Sequence, residues 1–96
     1  MEIKFTPSAR SMFLDGLLHI KKEDKQAATR FKEKAKKVLS RLIDYPESGK
    51  RIPEFPELPF REVIVAPYRF FYRVKEDTIW IVAVWHSAQH PRRSAK

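Results

Sequence analysis

The sequence contains no cysteine, which excludes disulfide bonds, thiol nucleophiles and thiolate metal sites. No apolar run approaches the roughly 20 residues that a membrane-spanning helix needs. The first ten residues, MEIKFTPSAR, lack the apolar core of a signal peptide. Together these absences suit a reducing compartment, and we expect a cytoplasmic protein with no membrane partner.

Glycine and metal-ligand patterns are also scarce. With only Gly16 and Gly49, a glycine-rich phosphate loop is impossible. The three histidines, His19, His86 and His90, have neither the spacing nor the accompanying carboxylates of a metal site. The sequence predicts no metal and no cofactor, and it gives no support to a serine triad.

Acidic residues are in the minority, with 12 Asp and Glu against 20 Lys and Arg, so the net charge is +8. A small domain this basic typically meets an acidic partner such as nucleic acid, a ribosome or an acidic protein segment. The alternative is a lysine-rich, solvated surface. With 96 residues, 43% of them hydrophobic, the chain is predicted to be one globular domain over residues 1–96, ending in a basic tail at 87–96.

A short strand is predicted at residues 2–5, followed by a helix. Thr6 and Pro7 supply the N-cap and the first helical position, and the apolar stripe continues to about residue 22. Gly16 lies on that stripe, where we expect it to allow close approach to a second helix.

The second helix begins after Asp24 and ends before Pro46, because the residue before a proline disfavours helical backbone. A joint this short predicts an antiparallel helical hairpin. The segment YPESGKRIPEFPELP then reads as a proline-rich loop whose apolar residues can still dock on the fold.

Three strands are predicted at residues 60–65, 68–75 and 78–85, the last two joined by a tight turn at Glu76 and Asp77. They form an antiparallel meander, and the helical hairpin packs on one face. The predicted fold is therefore α+β, in the order β-α-α-β-β-β.

The two-residue turn also predicts a register, with Arg73 opposite Trp80 and Arg69 opposite Val84. Because directly opposite side chains share a face, one face carries Arg69, Phe71, Arg73, Trp80, Val82, Val84 and His86. The other face, predicted to cover the helices, carries Tyr68, Phe70, Tyr72, Val74, Ile79, Ile81 and Ala83.

This register brings His86 to the half-covered face that holds Arg69, where a groove would lie. A slip of one residue would separate the two side chains. The loop at Pro67 leaves open which face Arg61 occupies.

The chain resembles the RelE/ParE superfamily of toxins from type II toxin–antitoxin systems. The resemblance extends over nearly the whole sequence, through FTPSAR, YPESGKRIPE and FREVIVAPYRFFYRVKEDTIWIVAVWHSAQ. It rests on an ordered set of residues, namely Arg61-Glu62, Tyr68-Arg69, Tyr72-Arg73-Val74 and His86.

The resemblance implies growth inhibition, plasmid stabilisation and one of two activities. ParE-like members inhibit DNA gyrase, whereas RelE-like members cut messenger RNA in the ribosomal A site without a metal. An antitoxin neutralises both kinds, and an acidic, amphipathic segment would suit a basic toxin with a half-open apolar face. A third reading is a non-toxic nucleic-acid-binding module.

In the RelE-like reading, Arg69 matches the arginine that contacts the scissile phosphate, and His86 is the candidate acid or base. The wider set of candidate target- or phosphate-binding residues is Arg61, Arg69, Arg73, Arg92 and Arg93. The plain alternatives are an ion pair of Arg69 with Glu62 or an antitoxin carboxylate, and a His86 that is hydrogen-bonded to backbone.

The C-terminal sequence favours the ParE-like reading. RelE-like proteins carry a tyrosine after the last strand, but this tail reads HSAQHPRRSAK, with no tyrosine after Tyr72. Many ParE-like proteins read His-Gly-Ala-Arg where this chain has the similar run from His86 to Gln89. We therefore expect a ParE-like toxin acting on gyrase, with the ribosome-dependent endoribonuclease as the alternative.

Overall fold

The computed structural model describes residues 1–88, which form two helices packed on a five-stranded sheet. The elements are β1 (Glu2–Phe5), α1 (Pro7–Glu23), α2 (Lys25–Asp44), β2 (Lys50–Arg51), β3 (Arg61–Val65), β4 (Tyr68–Lys75) and β5 (Thr78–His86). The predicted α+β class and the order β-α-α-β-β-β are confirmed. The two-residue strand β2 was not predicted and lies within the proline-rich segment.

Side-chain caps position both helices. The Thr6 hydroxyl accepts a hydrogen bond from the Ala9 amide at 3.2 Å, and Pro7 occupies the first helical position. Asp24 ends α1 by donating its backbone N–H to Ile20 O at 2.9 Å. Its carboxylate also starts α2 by accepting from the Gln26 amide at 2.9 Å. One residue thus ends one helix and begins the next, which fixes the antiparallel hairpin. Neither helix of the described chain is long and apolar enough to cross a bilayer.

The sheet has the strand order β1-β5-β4-β3-β2 and is mixed. The predicted antiparallel meander of β3, β4 and β5 is confirmed, and β2 extends it by one antiparallel strand. At the other edge β1 lies parallel to β5, with Glu2 opposite Thr78. The helical hairpin connects β1 to the rest of the sheet as a crossover, and such a connection permits parallel pairing.

One face of the sheet packs against the helices to form the core. As predicted, this face of β4 and β5 carries Tyr68, Phe70, Tyr72, Ile79 and Ile81, all buried. From the helices the core takes Ala9, Phe31, Ala35, Leu39 and Leu42. One prediction for this face is wrong, because Val84 lies in the core in place of Ala83. Val74 keeps its predicted position opposite Ile79 but is 38% exposed.

A β-bulge in β5 explains why Val84 takes the place of Ala83 in the core. The predicted register holds from the turn as far as Tyr72 and Ile81, and the pairing then shifts, so that Phe71 lies opposite Ala83 instead of Val82. Val82 is the extra residue on β5. Beyond a bulge the alternation of side chains reverses on the bulged strand. Every residue of β5 after Val82 therefore lies on the face opposite to the predicted one.

Gly16 makes a close contact between α1 and the sheet. A Cβ atom added to Gly16 would lie 2.9 Å from Cζ of Tyr68. Gly16 was predicted to allow close approach to the second helix. That prediction is wrong, because the atoms nearest to Gly16 belong to Tyr68 of β4.

We expect Gly16→Ala to destabilise the fold by about 1 kcal/mol, although alanine is the better helix former, because overpacking against the buried Tyr68 ring outweighs helix propensity. Urea unfolding of the two proteins measures the difference. In a Tyr68→Leu background, where the ring is absent, the same change should stabilise. Stabilisation by Gly16→Ala in the wild-type background would contradict this account.

Candidate functional site

Arg69 lies at the centre of the sheet face that points away from the helices. On β4 it is directly opposite Ile64 of β3 and Trp85 of β5. Its Nε donates to Glu62 Oε1 at 2.7 Å. Its two terminal nitrogens donate to the two carboxylate oxygens of Glu54, at 3.0 and 3.2 Å. Glu62 comes from β3 and Glu54 from the proline-rich loop, so the guanidinium joins two separate segments to β4.

The guanidinium of Arg69 is buried, and carboxylates balance its charge. Arg69 is only 7% exposed, and all three of its nitrogens are hydrogen-bonded to carboxylates. The hydrogen bonds to Glu54, and after them those to Glu62, raise the pKa of Arg69 above its usual value, although burial alone would lower it. The predicted alternative of an ion pair with Glu62 is confirmed, and Glu54 is a second, unpredicted partner.

Aromatic rings cover the ion pair. The guanidinium of Arg69 lies 4.9 Å from the ring centroid of Phe71. Phe71 in turn meets Trp85 edge to face, with ring centroids 5.7 Å apart. The rings limit the access of water, so the charges on Arg69 and its two carboxylates interact more strongly than surface charges do.

His86 lies on the other face of the sheet. Because of the bulge it is opposite Tyr68, a core-facing residue, and it meets the Tyr68 ring edge to face at 5.4 Å. Its Nδ1 accepts a hydrogen bond from the Ala88 amide at 3.1 Å. The prediction that His86 and Arg69 share a face is wrong, and the β-strand separates the two side chains. The predicted alternative of a backbone hydrogen bond to His86 is confirmed.

On its own face, His86 lines an open cavity of about 440 Å³ between α1 and the end of the sheet. The other lining residues are Met12, Asp15, Gly16, His19, Tyr68 and Val84. Among residues 1–88 no three His, Asp or Glu side chains are grouped as a metal ion would require.

Arg61 lies on the core-facing side of β3, opposite Tyr72, which settles the face that the sequence left open. Its terminal nitrogen donates to Gly49 O at 2.9 Å. The Tyr72 hydroxyl accepts from Gly49 N at 3.0 Å and donates to Pro46 O at 2.8 Å. Burial raises the pKa of this phenol. These hydrogen bonds hold the start of the proline-rich loop against the sheet.

Arg73 lies on the same face as Arg69, four residues further along β4, but its environment differs. Its Cζ lies 5.6 Å from the ring centroid of Phe60, and its buried Nε has no hydrogen-bond partner. Two other predicted phosphate-binding residues, Arg92 and Arg93, lie outside the described residues.

A groove opens at the β1 edge of the sheet, between β1, β5 and α1, and no residue pattern had predicted it. It has a volume of about 550 Å³ and is lined by Ile3, Lys4, Phe5, Arg10, Phe13, Leu14 and Trp80. Lys4 and Arg10 add positive charge to an otherwise apolar lining. Leu14 is 46% exposed, and Leu18, one turn further along α1, is 57% exposed.

The groove could have been found from a single signal in α1. Leu14, which lines the groove, is an exposed apolar residue of α1 outside the stripe that packs on the core. The contact of Glu54 with Arg69 could not be predicted in this way, because the sequence PEFPELP does not determine the direction of the Glu54 side chain.

Comparison with known proteins places the chain in a family. A family model described as the ParE toxin of the type II toxin–antitoxin system parDE matches residues 3–91. The chain belongs to the ParE toxin family. No curated protein sequence gives a significant match.

A solved structure agrees with this ParE-family assignment at the level of the fold. A chain of the chromosomal ParDE toxin–antitoxin system from P. aeruginosa superposes with a TM-score of 0.70 at 18% identity, over 90% of this chain and 95% of that one. The conserved protein HP0894 from Helicobacter pylori covers 92% of this chain and 96% of its own, at 18% identity and a TM-score of 0.44. The chain is thus a type II toxin by family and has the fold of the P. aeruginosa protein.

In this ParE-family toxin we expect the double change Glu54→Gln/Glu62→Gln to lower the free energy of unfolding by about 4 kcal/mol, because it leaves Arg69 as a buried, uncompensated charge. Urea unfolding provides the measurement. Glu57→Gln, an exposed carboxylate of the same loop, is the matched control, with an expected effect under about 0.5 kcal/mol.

Replacing the whole cluster should recover stability. The triple change Arg69→Met/Glu54→Gln/Glu62→Leu removes the charge together with its partners, and apolar replacements of buried ion pairs are often neutral. A double variant as stable as the Glu57→Gln control would show that the ion pair contributes nothing to the fold.

Proposed function

We propose that this chain is a growth-inhibiting toxin that acts on DNA gyrase in the cytoplasm and is neutralised by a cognate antitoxin with an acidic, amphipathic segment. Membership of the ParE toxin family supports the toxin role. The choice of gyrase over messenger RNA rests on the state of Arg69, whose guanidinium nitrogens are all hydrogen-bonded to Glu54 and Glu62.

A ribonuclease of the RelE-like kind needs an arginine that is open to the scissile phosphate. Here two carboxylates occupy the donors that would bind the phosphate oxygens. The same carboxylates would repel the incoming phosphate, and the site is buried. An acid or base at His86 is also on the wrong face of the sheet to act with Arg69. The geometry therefore favours an inhibitor that works by binding its target.

We expect the purified toxin to inhibit supercoiling of relaxed plasmid by gyrase and to leave messenger RNA intact on translating ribosomes. His86→Ala should change the inhibitory concentration by no more than a factor of about three, as for a contact worth under 1 kcal/mol. Loss of an acid–base residue would instead reduce activity by about 10²–10⁴-fold. His19→Ala, from the same cavity, is the matched control.

Cleavage of messenger RNA at the A site, abolished by His86→Ala, would overturn the proposal in favour of the ribonuclease. Salt-sensitive binding to DNA or RNA, without either effect, would point to a binding module alone.

The groove at the β1 edge is the proposed docking surface for the antitoxin. Its apolar lining includes Phe13 and Leu14, and its positive charges come from Lys4 and Arg10. Lys4 Nζ lies 5.8 Å from the Trp80 ring. An amphipathic segment can place its apolar face on such a lining while its acidic residues meet the basic side chains.

We expect Leu14→Glu to weaken antitoxin binding by about 30-fold, the equivalent of about 2 kcal/mol for an apolar contact at the centre of an interface. Isothermal titration with the antitoxin encoded next to the toxin provides the measurement. The control is Ile43→Glu, which places the same charge at a leucine-sized side chain of similar exposure (42%) at the end of α2. Equal losses in the two variants would contradict docking in the groove.

A further inference from the structure

The excess positive charge of the chain is concentrated in α2. This helix of 20 residues carries seven basic and two acidic side chains, so it supplies +5 of the net charge of +8. The rest of the chain is much closer to balance. A surface of one charge on a single rigid element is the typical footprint of a polyanionic ligand.

Four of the cations lie in one line along the exposed surface of α2. Their positions are separated by four, three and four residues, a spacing that keeps side chains on one side of a helix. They are Arg30, Lys34, Lys37 and Arg41, all exposed, and we call them the basic stripe. At a rise of about 1.5 Å per residue, the stripe is about 16 Å long.

No carboxylate of the described chain neutralises the basic stripe. None of its four charged groups lies within 4.0 Å of a carboxylate oxygen. The two acidic residues of α2, Glu33 and Asp44, lie about one turn from the stripe and form no ion pair with it. Like charges at these spacings destabilise a helix, so an anionic ligand along the stripe would relieve their repulsion.

An exposed aromatic ring follows the basic stripe. Tyr45 comes four residues after Arg41, and its backbone N–H donates to Arg41 O at 2.9 Å, so it extends the line by one turn. It is 67% exposed, more than any other large hydrophobic residue among residues 1–88. A free phenol ring beside a row of cations provides a surface on which a nucleobase can stack.

We infer that the basic stripe and Tyr45 bind single-stranded nucleic acid. The cations contact the phosphate backbone and Tyr45 stacks on a base, which is how many proteins hold single strands. The stripe spans about five nucleotides at a stacked rise of about 3.4 Å. A duplex hides the faces of its bases, so only a single strand uses both features.

An acidic protein segment fits this surface less well. Stable protein interfaces have an apolar or aromatic centre. Apart from Tyr45 the stripe has none, because the exposed Ile43 lies on the other flank of α2, in line with Lys32 and Lys36. No residue of α2 lines the groove at the β1 edge, so the stripe is separate from the surface proposed for the antitoxin.

The test measures binding by the full-length toxin alone, so its result is independent of the proposed action on gyrase. A fluorescein-labelled single-stranded DNA of about 12 nucleotides is titrated with the toxin, and fluorescence anisotropy gives the dissociation constant. Between about 50 and 200 mM salt, we expect log K to fall with log salt at a slope of about −3, as for four phosphate contacts. RNA and duplex DNA of the same sequence are titrated in parallel.

Lys34→Gln/Lys37→Gln should weaken binding about tenfold or more at about 100 mM salt and reduce the slope by about 1.4, because two phosphate contacts are lost. The matched control is Lys32→Gln/Lys36→Gln, which removes the same charge from exposed positions on the other flank of α2. The control should change the affinity by less than about twofold, because salt screens charges that do not touch the ligand.

Tyr45→Ala separates stacking from charge. It should weaken binding about fivefold or more and leave the salt slope unchanged, because it removes a stacking contact and no phosphate contact. Tyr45→Trp retains an aromatic face and should retain the affinity.

Similar affinities for single-stranded DNA and RNA support recognition of a backbone and a base, and much tighter binding of one of them identifies the source. Equal losses in the two lysine variants would overturn the inference, as would duplex DNA that binds as tightly as the single strand and is insensitive to Tyr45→Ala. A glutamate-rich peptide that binds through the basic stripe, where the oligonucleotide does not, would also overturn it.

Discussion

The buried ion pair of Arg69 with Glu54 and Glu62 is the interaction on which the second face of the sheet depends. The helices cover only one face, and the proline-rich loop must cover part of the other. That loop has few backbone hydrogen bonds of its own in the described chain, with Phe55 and Leu58 each closing a single turn. Apart from the short pairing of β2 with β3, its attachment relies on side chains. Glu54 binds Arg69 at the centre of the loop, and the side chains of Tyr72 and Arg61 bind the backbone of Gly49 at its start. Because a buried arginine without its carboxylates is costly, the loop and the sheet are expected to hold together or separate as a unit.

The ion pair of Arg69 also changes how the Tyr68-Arg69 motif is interpreted. Tyr68-Arg69 suggests a phosphate-binding arginine when it is read along the chain, yet Arg69 makes its contacts within the protein. On the neighbouring positions, Arg61 donates to the backbone oxygen of Gly49 and Arg73 lies over the ring of Phe60. A residue type and its spacing define which chemistry is possible. The carboxylates that reach the residue decide whether that chemistry remains available.

Local chemistry explains which parts of the fold were predictable from the sequence. Thr6, Pro7 and Asp24 act within three residues of themselves, so the helix boundaries follow from short-range rules. The strand assignments and the register near the turn at Glu76 were equally accessible. The bulge at Val82 was not, because no turn residue marks it and the packing of Tyr72 and Val84 against the helices decides it. Because Val82 is an extra residue, His86 lies on the face opposite to Arg69, and the two predicted catalytic residues are separated.

The parallel pairing of β1 with β5 ties the completion of the fold to the order of synthesis. Ile3 and Phe5 lie beside Ile79 and Ile81, so β1 cannot pair until β5, which follows it far along the chain, has been made. The helical hairpin consists of local contacts and can form while the rest of the chain is still being translated. The core between the helices and the central strands cannot close until β5 exists. A ribosome that has not yet made β5 therefore carries no finished fold, and any partner that recognises the edge formed by β1 must wait for that strand.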